Sequence, residues 1–210
     1  MSPVDLLGPI LGWRVFALGH EVTLVLAALT ILAWCFSEYL GRSSTWRQGA
    51  AKRPSSKLDR GTYPFIAMGL GGGLVVSALC FLFGLGPFFP SPLALLGLFL
   101  AAVGILVRLW AMRTLGKFFT MPITVRPDHR VVREGPYRWL RHPAYTGNFL
   151  IGVGLPLILG TVVGFALSFL FCAVVYVHRI RIEEGVLLQQ LGEAYREYSR
   201  TTSRLLPRIY

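Results

Sequence analysis

Four apolar runs, each approaching or exceeding what a bilayer demands of a helix, constrain this 210-residue chain more than any other feature. A helix that crosses the hydrocarbon core needs about 20 predominantly apolar residues. The runs are Thr23–Phe36, extendable backward through Phe16–Gly19, then Pro64–Leu85, Pro92–Met112 and Phe149–Val177. The last is too long for one span. It contains Pro156 and the Gly160/Gly164 pair, so it divides into two short helices that turn near residue 160. The expected fold class is all-α: an integral membrane helical bundle of about five transmembrane helices, with spans four and five as a helical hairpin. Only 15% of the residues are charged, against about 25% in a soluble domain. No stretch between the runs is long enough for a separate soluble domain. One domain is therefore expected over 1–210, with three spans in 1–112 and a second half in 113–210.

Charge sets the expected orientation. Of the 21 Lys and Arg, six lie in 42–60, seven in 113–141 and six in 179–208, while the 86–91 connector "GPFFPS" has none. Cytoplasmic loops are enriched in Lys and Arg, so five spans put the N-terminus outside and the C-terminus in the cytoplasm. The net charge of +11 then reads as topology plus attraction to anionic lipid. It does not point to nucleic acid, because the charges are tied to span ends. The N-terminus lacks the pattern of a cleaved secretory signal, so span one is expected to stay as an anchor. Cys35, Cys80 and Cys172 all fall inside apolar runs without CxxC spacing. They read as buried thiols, with no disulfide and no metal site implied. The polar 41–63 stretch, rich in turn formers, reads as a loop.

The chemistry concentrates after the third run. Arg108 falls about 24 Å along that helix at ~1.5 Å per residue. Such a charge either snorkels to the interface or holds an anionic substrate group. Next comes "HRVVREGPYRWLRHPAYTG", residues 129–147, in which Gly135-Pro136 makes a turn. Pro143 starts the fourth span, at a position where its missing N–H does no harm. A loop entering a helix start leaves N–H groups free for an anion. His142 can donate to such an anion or to a ribose hydroxyl, though a structural hydrogen bond is the commoner role for His142 and for His129. No third ligand at suitable spacing supports a metal. After the last run, Leu187, Leu188, Leu191, Tyr195 and Tyr198 recur at helical spacing, so a helix continues past the membrane surface. On it, Arg179 and Glu183 stand four apart on one face, and Glu184 on the next. Either the first two form a simple helix pair, or a carboxylate here accepts ribose hydroxyls.

"GPYRWLRHPAYTG", followed by "EEGVLLQQLGEAYREY" and Pro207, resembles the isoprenylcysteine carboxyl methyltransferase and phospholipid methyltransferase superfamily. The upstream "RLWAMRTLGKFFT" is similar to its bacterial branch. The resemblance covers Arg108 to Pro207, about half of the chain. It implies a membrane-embedded helical bundle with S-adenosylmethionine in a cytoplasmic-side pocket, in a multi-pass protein of the bacterial inner membrane. By position, it assigns cofactor contacts to His129, Arg130, Val131, Val132, Tyr137, His142, Pro143, Ala144, Tyr145 and Glu183, with Glu184 beside them. It places Arg179 toward the substrate, with Arg108 and His142 as further catalytic candidates. The prenylcysteine enzymes carry a histidine shortly after the matching Phe, where this chain has Phe119-Thr120-Met121.

The implied activity is methylation of a lipophilic acceptor from the bilayer, foremost the carboxylate of an isoprenylcysteine-like group. A carboxylate is already a nucleophile and needs only a cation such as Arg179 to place it. A phospholipid amine or a phenolic lipid would need to lose a proton, to His142, His129 or Glu184. Two non-enzyme readings share the spans: a membrane lipid-binding scaffold, and a transporter with broken helices at mid-membrane. For the transporter, the Gly71-Gly72-Gly73 run and Pro156 are the hints, and close helix packing explains the glycines equally well.

Overall fold

The computed structural model describes residues 20–47, 62–85, 92–120, 123 and 127–206. Phe16–Gly19, the 48–61 part of the polar stretch, the 86–91 connector, Met121 and Pro207 lie outside the described residues. Among the described residues the chain is all-helical: α1 (His20–Arg47), α2 (Thr62–Phe83), α3 (Pro92–Leu115), α4 (Pro143–Ile158), α5 (Val162–Leu191) and α6 (Glu193–Thr201), with 3₁₀ turns at Gly116–Phe118 and Gly135–Arg138. An isolated bridge joins Leu140 to Ser203. Three of the helical segments, Glu21–Ser43, Pro92–Phe118 and Val162–Leu191, are long and apolar enough to cross a membrane, and Gly71–Phe83 and Pro143–Ile158 are shorter apolar helices. The chain is a membrane protein, and α1 to α5 fall on the apolar runs of the sequence.

Small residues set the packing. In lipid there is no hydrophobic drive between helices, so close backbone approach through Gly and Ala does the work. α3 and α4 run antiparallel, with Gly97 opposite Gly154 and Gly104 opposite Gly147. A Cβ added at any of the four would stand 2.6 Å from the facing carbonyl oxygen. Ala101, fully buried, continues the seam. The same register carries the seam into the polar end, where a Cβ on Gly147 would meet the Arg108 Cβ at 2.8 Å. This fixes Arg108 beside the first turn of α4.

A second antiparallel seam joins α2 to α5, with Gly73 against Ser168 and Gly164 against Ser77. Of the Gly71-Gly72-Gly73 run, only Gly73 touches a neighbour, since nothing stands within 4 Å of a Cβ on the other two. α4 runs on through Pro156 to Ile158 and the chain turns at Gly160, so Pro156 does not break the helix.

Three local expectations need correction. Residues 41–47 are helical and not loop, because the Glu38–Arg42 pair at i,i+4 and the Ser43 hydroxyl, bonded to the Leu40 carbonyl at 3.0 Å, support the polar last turns of α1. Cys80 and Cys172 are buried, but Cys35 is exposed on the outer side of α1. The helix expected through Tyr198 is interrupted at Gly192, whose φ of +56° a residue with a Cβ rarely adopts. The interruption lets α6 leave the α5 axis.

Candidate active site

The polar ends of α3, α4 and α5, the 129–138 segment and α6 surround one cavity of about 130 Å³. His129, Arg130, Val131, Val132, Tyr137, His142, Ala144, Tyr145, Arg179, Glu183 and Arg108 all line it. Two other predicted positions do not. Pro143 is buried in the first turn of α4, where its ring starts the helix as expected. Glu184 faces away, toward the chain's last segment.

The glutamate pair shows how one helical step separates two roles. Tyr145 donates its hydroxyl to Glu183 Oε2 at 2.7 Å, and Arg179 Nε donates to the same hydroxyl oxygen at 3.1 Å. The i,i+4 residues Arg179 and Glu183 are thus linked through a phenol. Arg179 is 1% exposed, while Glu183 keeps 26% of its side chain open. Glu184 instead accepts from Arg141 Nε at 2.7 Å and from Arg204 Nε at 2.9 Å. His142 lies between the two acids, with Nδ1 3.9 Å from Glu183 and Nε2 3.4 Å from Glu184. Its ring stacks on Tyr145, which stacks on Tyr176, at centroid separations of 5.6 and 5.4 Å.

Glu184 anchors a clasp. Arg141 also donates to the Ser199 carbonyl at 2.8 Å and to that of Thr202. The backbone N–H groups of Arg141 and His142 donate to the carbonyls of Ser203 and Arg204, and Ser203 N–H donates back to Trp139 O. The Tyr198 hydroxyl donates to Tyr137 O at 2.7 Å, and Arg133 reaches Glu197 at 3.1 Å. These bonds hold α6 across the cavity mouth, with Tyr195 and Tyr198 in its lining. Burial pushes the Tyr198 phenol up to about 12. Burial first, and the Glu183 charge second, raises Tyr137 further. Both phenols therefore stay neutral, and that of Tyr198 acts as a donor.

Arg108 neither snorkels nor waits with an open guanidinium. It is 4% exposed and bidentate to Glu38 of α1, through Nε and through Nη2 at 3.1 Å, with Nη1 on the Ala144 carbonyl at 3.2 Å. Its charge is met by Glu38, a partner 70 residues earlier that sequence reasoning missed. The signal for it was present: Glu38 falls just past the end of run one, as Arg108 falls near the end of run three. Asn148, Phe119, Thr120, Leu187 and Leu191 also line the cavity and were not foreseen as site residues.

Residues 95–189 match the isoprenylcysteine carboxyl methyltransferase (ICMT) family. The chain is 37% identical over 82 residues to the uncharacterized protein YpbQ of Bacillus subtilis (strain 168), covering 39% of this chain and 49% of that one. It is 34% identical over 133 residues to the protein-S-isoprenylcysteine O-methyltransferase of Dictyostelium discoideum, covering 59% and 54% respectively. The solved eukaryotic intramembrane Ras methyltransferase ICMT superposes with a TM-score of 0.59 at 27% identity, over 70% of this chain and 53% of that chain. The chain thus spans about half the length of the curated relatives it matches. Residues 95–189, which carry Arg108, the His142-Pro143 helix start, Arg179 and Glu183, are thus the part of this chain that is similar to the isoprenylcysteine carboxyl methyltransferase family.

Proposed function

We propose that this chain is an integral membrane methyltransferase that uses S-adenosylmethionine and acts on a lipophilic acceptor drawn from the bilayer. The favoured acceptor is an isoprenylcysteine-like carboxylate, methylated on oxygen. One observation carries the reading: Arg179 and Glu183, one turn apart on α5, enter the same cavity as the 129–145 segment. In this reading the chain is one domain of five spans, with α2 and α4 as the two shorter ones. Its C-terminus lies in the cytoplasm, and 113–210 is the cofactor-binding half.

The residues that line the cavity suit such a cofactor. Val131, Val132, Leu187 and Leu191 supply apolar wall for a flat base. Glu183 offers a partly open carboxylate for a ribose diol. Two buried polar atoms of the lining, Asn148 Oδ1 and the Tyr195 hydroxyl, have no hydrogen-bond partner among the described residues, and such groups are rare unless a ligand or water completes them. S-adenosylmethionine supplies an electrophilic methyl group on a sulfonium centre. The protein's part is alignment, because an in-line displacement gains most from holding its partners in register. His129 to Val132, Tyr137, His142, Ala144, Tyr145 and Glu183 would hold the donor, with Pro143 setting the helix start and Glu184 holding the wall. Arg179 would place an acceptor carboxylate. Arg108, held by Glu38, acts here on the shape of the cavity and not as an anion clamp.

A second acceptor class is favoured by one feature: Thr120 lines the cavity after Phe119, where prenylcysteine enzymes carry a histidine close by. A phospholipid amine or a phenolic lipid would then be the acceptor, with His142, between two carboxylates, as the base. A labelled-methyl screen over prenylated carboxylates, phenolic lipids and phospholipid amines separates these classes. Incorporation into the first, lost in Arg179→Ala, supports the main reading. Incorporation only into amines or phenols supports the second. No incorporation and no binding of S-adenosylhomocysteine would leave a lipid-binding scaffold.

A further inference from the structure

The exposed side of α3 reads, along the helix, Leu95, Leu96, Phe99, Leu106, Trp110 and Arg113. That order, hydrocarbon then indole then cation, is the order of depth at the edge of a bilayer. At the indole level the chain brings a second tryptophan. Trp139 meets Trp110 edge to face with ring centroids 6.1 Å apart, and the Arg138 guanidinium lies 4.4 Å over the Trp139 ring. Both indoles are about half exposed, at 47% and 49%. Arg113 and Arg138 are exposed too, and among the described residues neither makes an ion pair.

We infer that Trp110, Arg113, Arg138 and Trp139 form a binding site for the headgroup of an anionic phospholipid at the membrane surface. Three physical features select this occupant. The Arg138 guanidinium lies over the indole at 4.4 Å, and its N–H groups make no ion pair among the described residues. A phosphate takes two such N–H groups at once, and an anionic headgroup offers it without the quaternary ammonium that a choline headgroup would bring up against two cations. Arg113, one turn past Trp110, brings a second cation to the same depth. The nearby charges do not cancel the pair, since Lys117 is matched by Asp128 at 2.6 Å and Glu134 is the one further acid of that turn.

The surface also adjoins the cavity by sequence. Tyr137 lines the cavity, Arg138 and Trp139 face outward, Leu140 bridges to Ser203, and Arg141 holds Glu184. A headgroup on this face therefore steadies the turn whose inner side is cavity wall. This inference does not depend on methyl transfer.

Brominated lipids test it. The chain is placed in phosphatidylcholine bilayers with increasing fractions of brominated phosphatidylglycerol or brominated phosphatidylcholine, and tryptophan emission is followed. The emission that Trp110→Phe/Trp139→Phe removes is the signal of interest. Wild type should reach half-quenching at about a fivefold lower fraction of the anionic lipid, since a cation near an anionic surface contributes about that factor. Arg113→Gln/Arg138→Gln should bring the two lipids within about twofold. Equal quenching of the wild type by both lipids would overturn the site, and so would an anionic preference that survives in the arginine variant. The wild-type comparison decides by itself should that variant not fold.

Discussion

The cavity is flanked by two buried arginines in different settings. At the α1–α3 corner, Arg108 meets a full carboxylate, that of Glu38, and its remaining edge bonds a carbonyl. At the α4–α5 corner, Arg179 donates to a neutral phenol, which itself donates to Glu183. A buried charge paired with its opposite charge mainly holds helices in place, and losing either partner strands the other. Two arginines that look alike in the sequence thus differ in their surroundings, with the Glu38 carboxylate at one corner and the Tyr145 hydroxyl at the other.

The largest expected effect comes from breaking the first corner. Arg108→Met leaves the largely buried Glu38 carboxylate with only the partly exposed Arg42, 3.4 Å away, as its cation, which should cost about 3–5 kcal/mol. Thermal unfolding in detergent should show this as the largest loss of any single variant here. Adding Glu38→Gln should restore much of it. Arg179→Ala should lower the melting temperature less, because Glu183 retains the Tyr145 hydroxyl. A larger loss at Arg179 than at Arg108 would invert the comparison.

The next effect belongs to the second corner. Glu183→Gln keeps shape but removes the charge, so affinity for S-adenosylhomocysteine should fall about ten- to a hundredfold, the worth of a hydrogen bond to a charged group. Tyr145→Phe removes only the linking hydroxyl. Its cost should be about 1 kcal/mol, roughly a fivefold loss in cofactor affinity with little change in the fold by circular dichroism. Smallest of all should be Arg42→Gln. Arg42 is 41% exposed and 3.4 Å from Glu38, and a helix pair of this kind contributes about 0.3–0.5 kcal/mol. A melting shift comparable to that of Arg108→Met would show that Glu38 depends on Arg42 after all.

The helices were legible because hydropathy is a local property. Runs of apolar residues placed α1 to α5, and the Gly160 turn followed from the length of the last run. The cavity wall from His129 to Tyr145, with Arg179 and Glu183, was legible from motifs whose residues lie close along the chain. The rest depends on contacts that cross helices. Glu38 and Arg108 meet because the α1–α3 packing aligns them, and only their similar places near the ends of runs one and three hint at that register. Glu184 sits beside Glu183, yet its role is set by Arg141 and by Arg204, which the Ser203 bridge brings in. Residues 41–47 were misread for a related reason. Their composition is that of a loop, but side-chain bonds to the preceding turn keep them helical.

The central claim is that Glu183 serves the cofactor while Arg179 serves the acceptor within one cavity. Isothermal titration of S-adenosylhomocysteine into the purified wild type, Arg179→Ala and Glu183→Gln tests it most directly. The account predicts micromolar-range binding to the wild type, nearly unchanged binding to Arg179→Ala, and a ten- to hundredfold loss in Glu183→Gln. No heat with the wild type, or equal losses in the two variants, would contradict it.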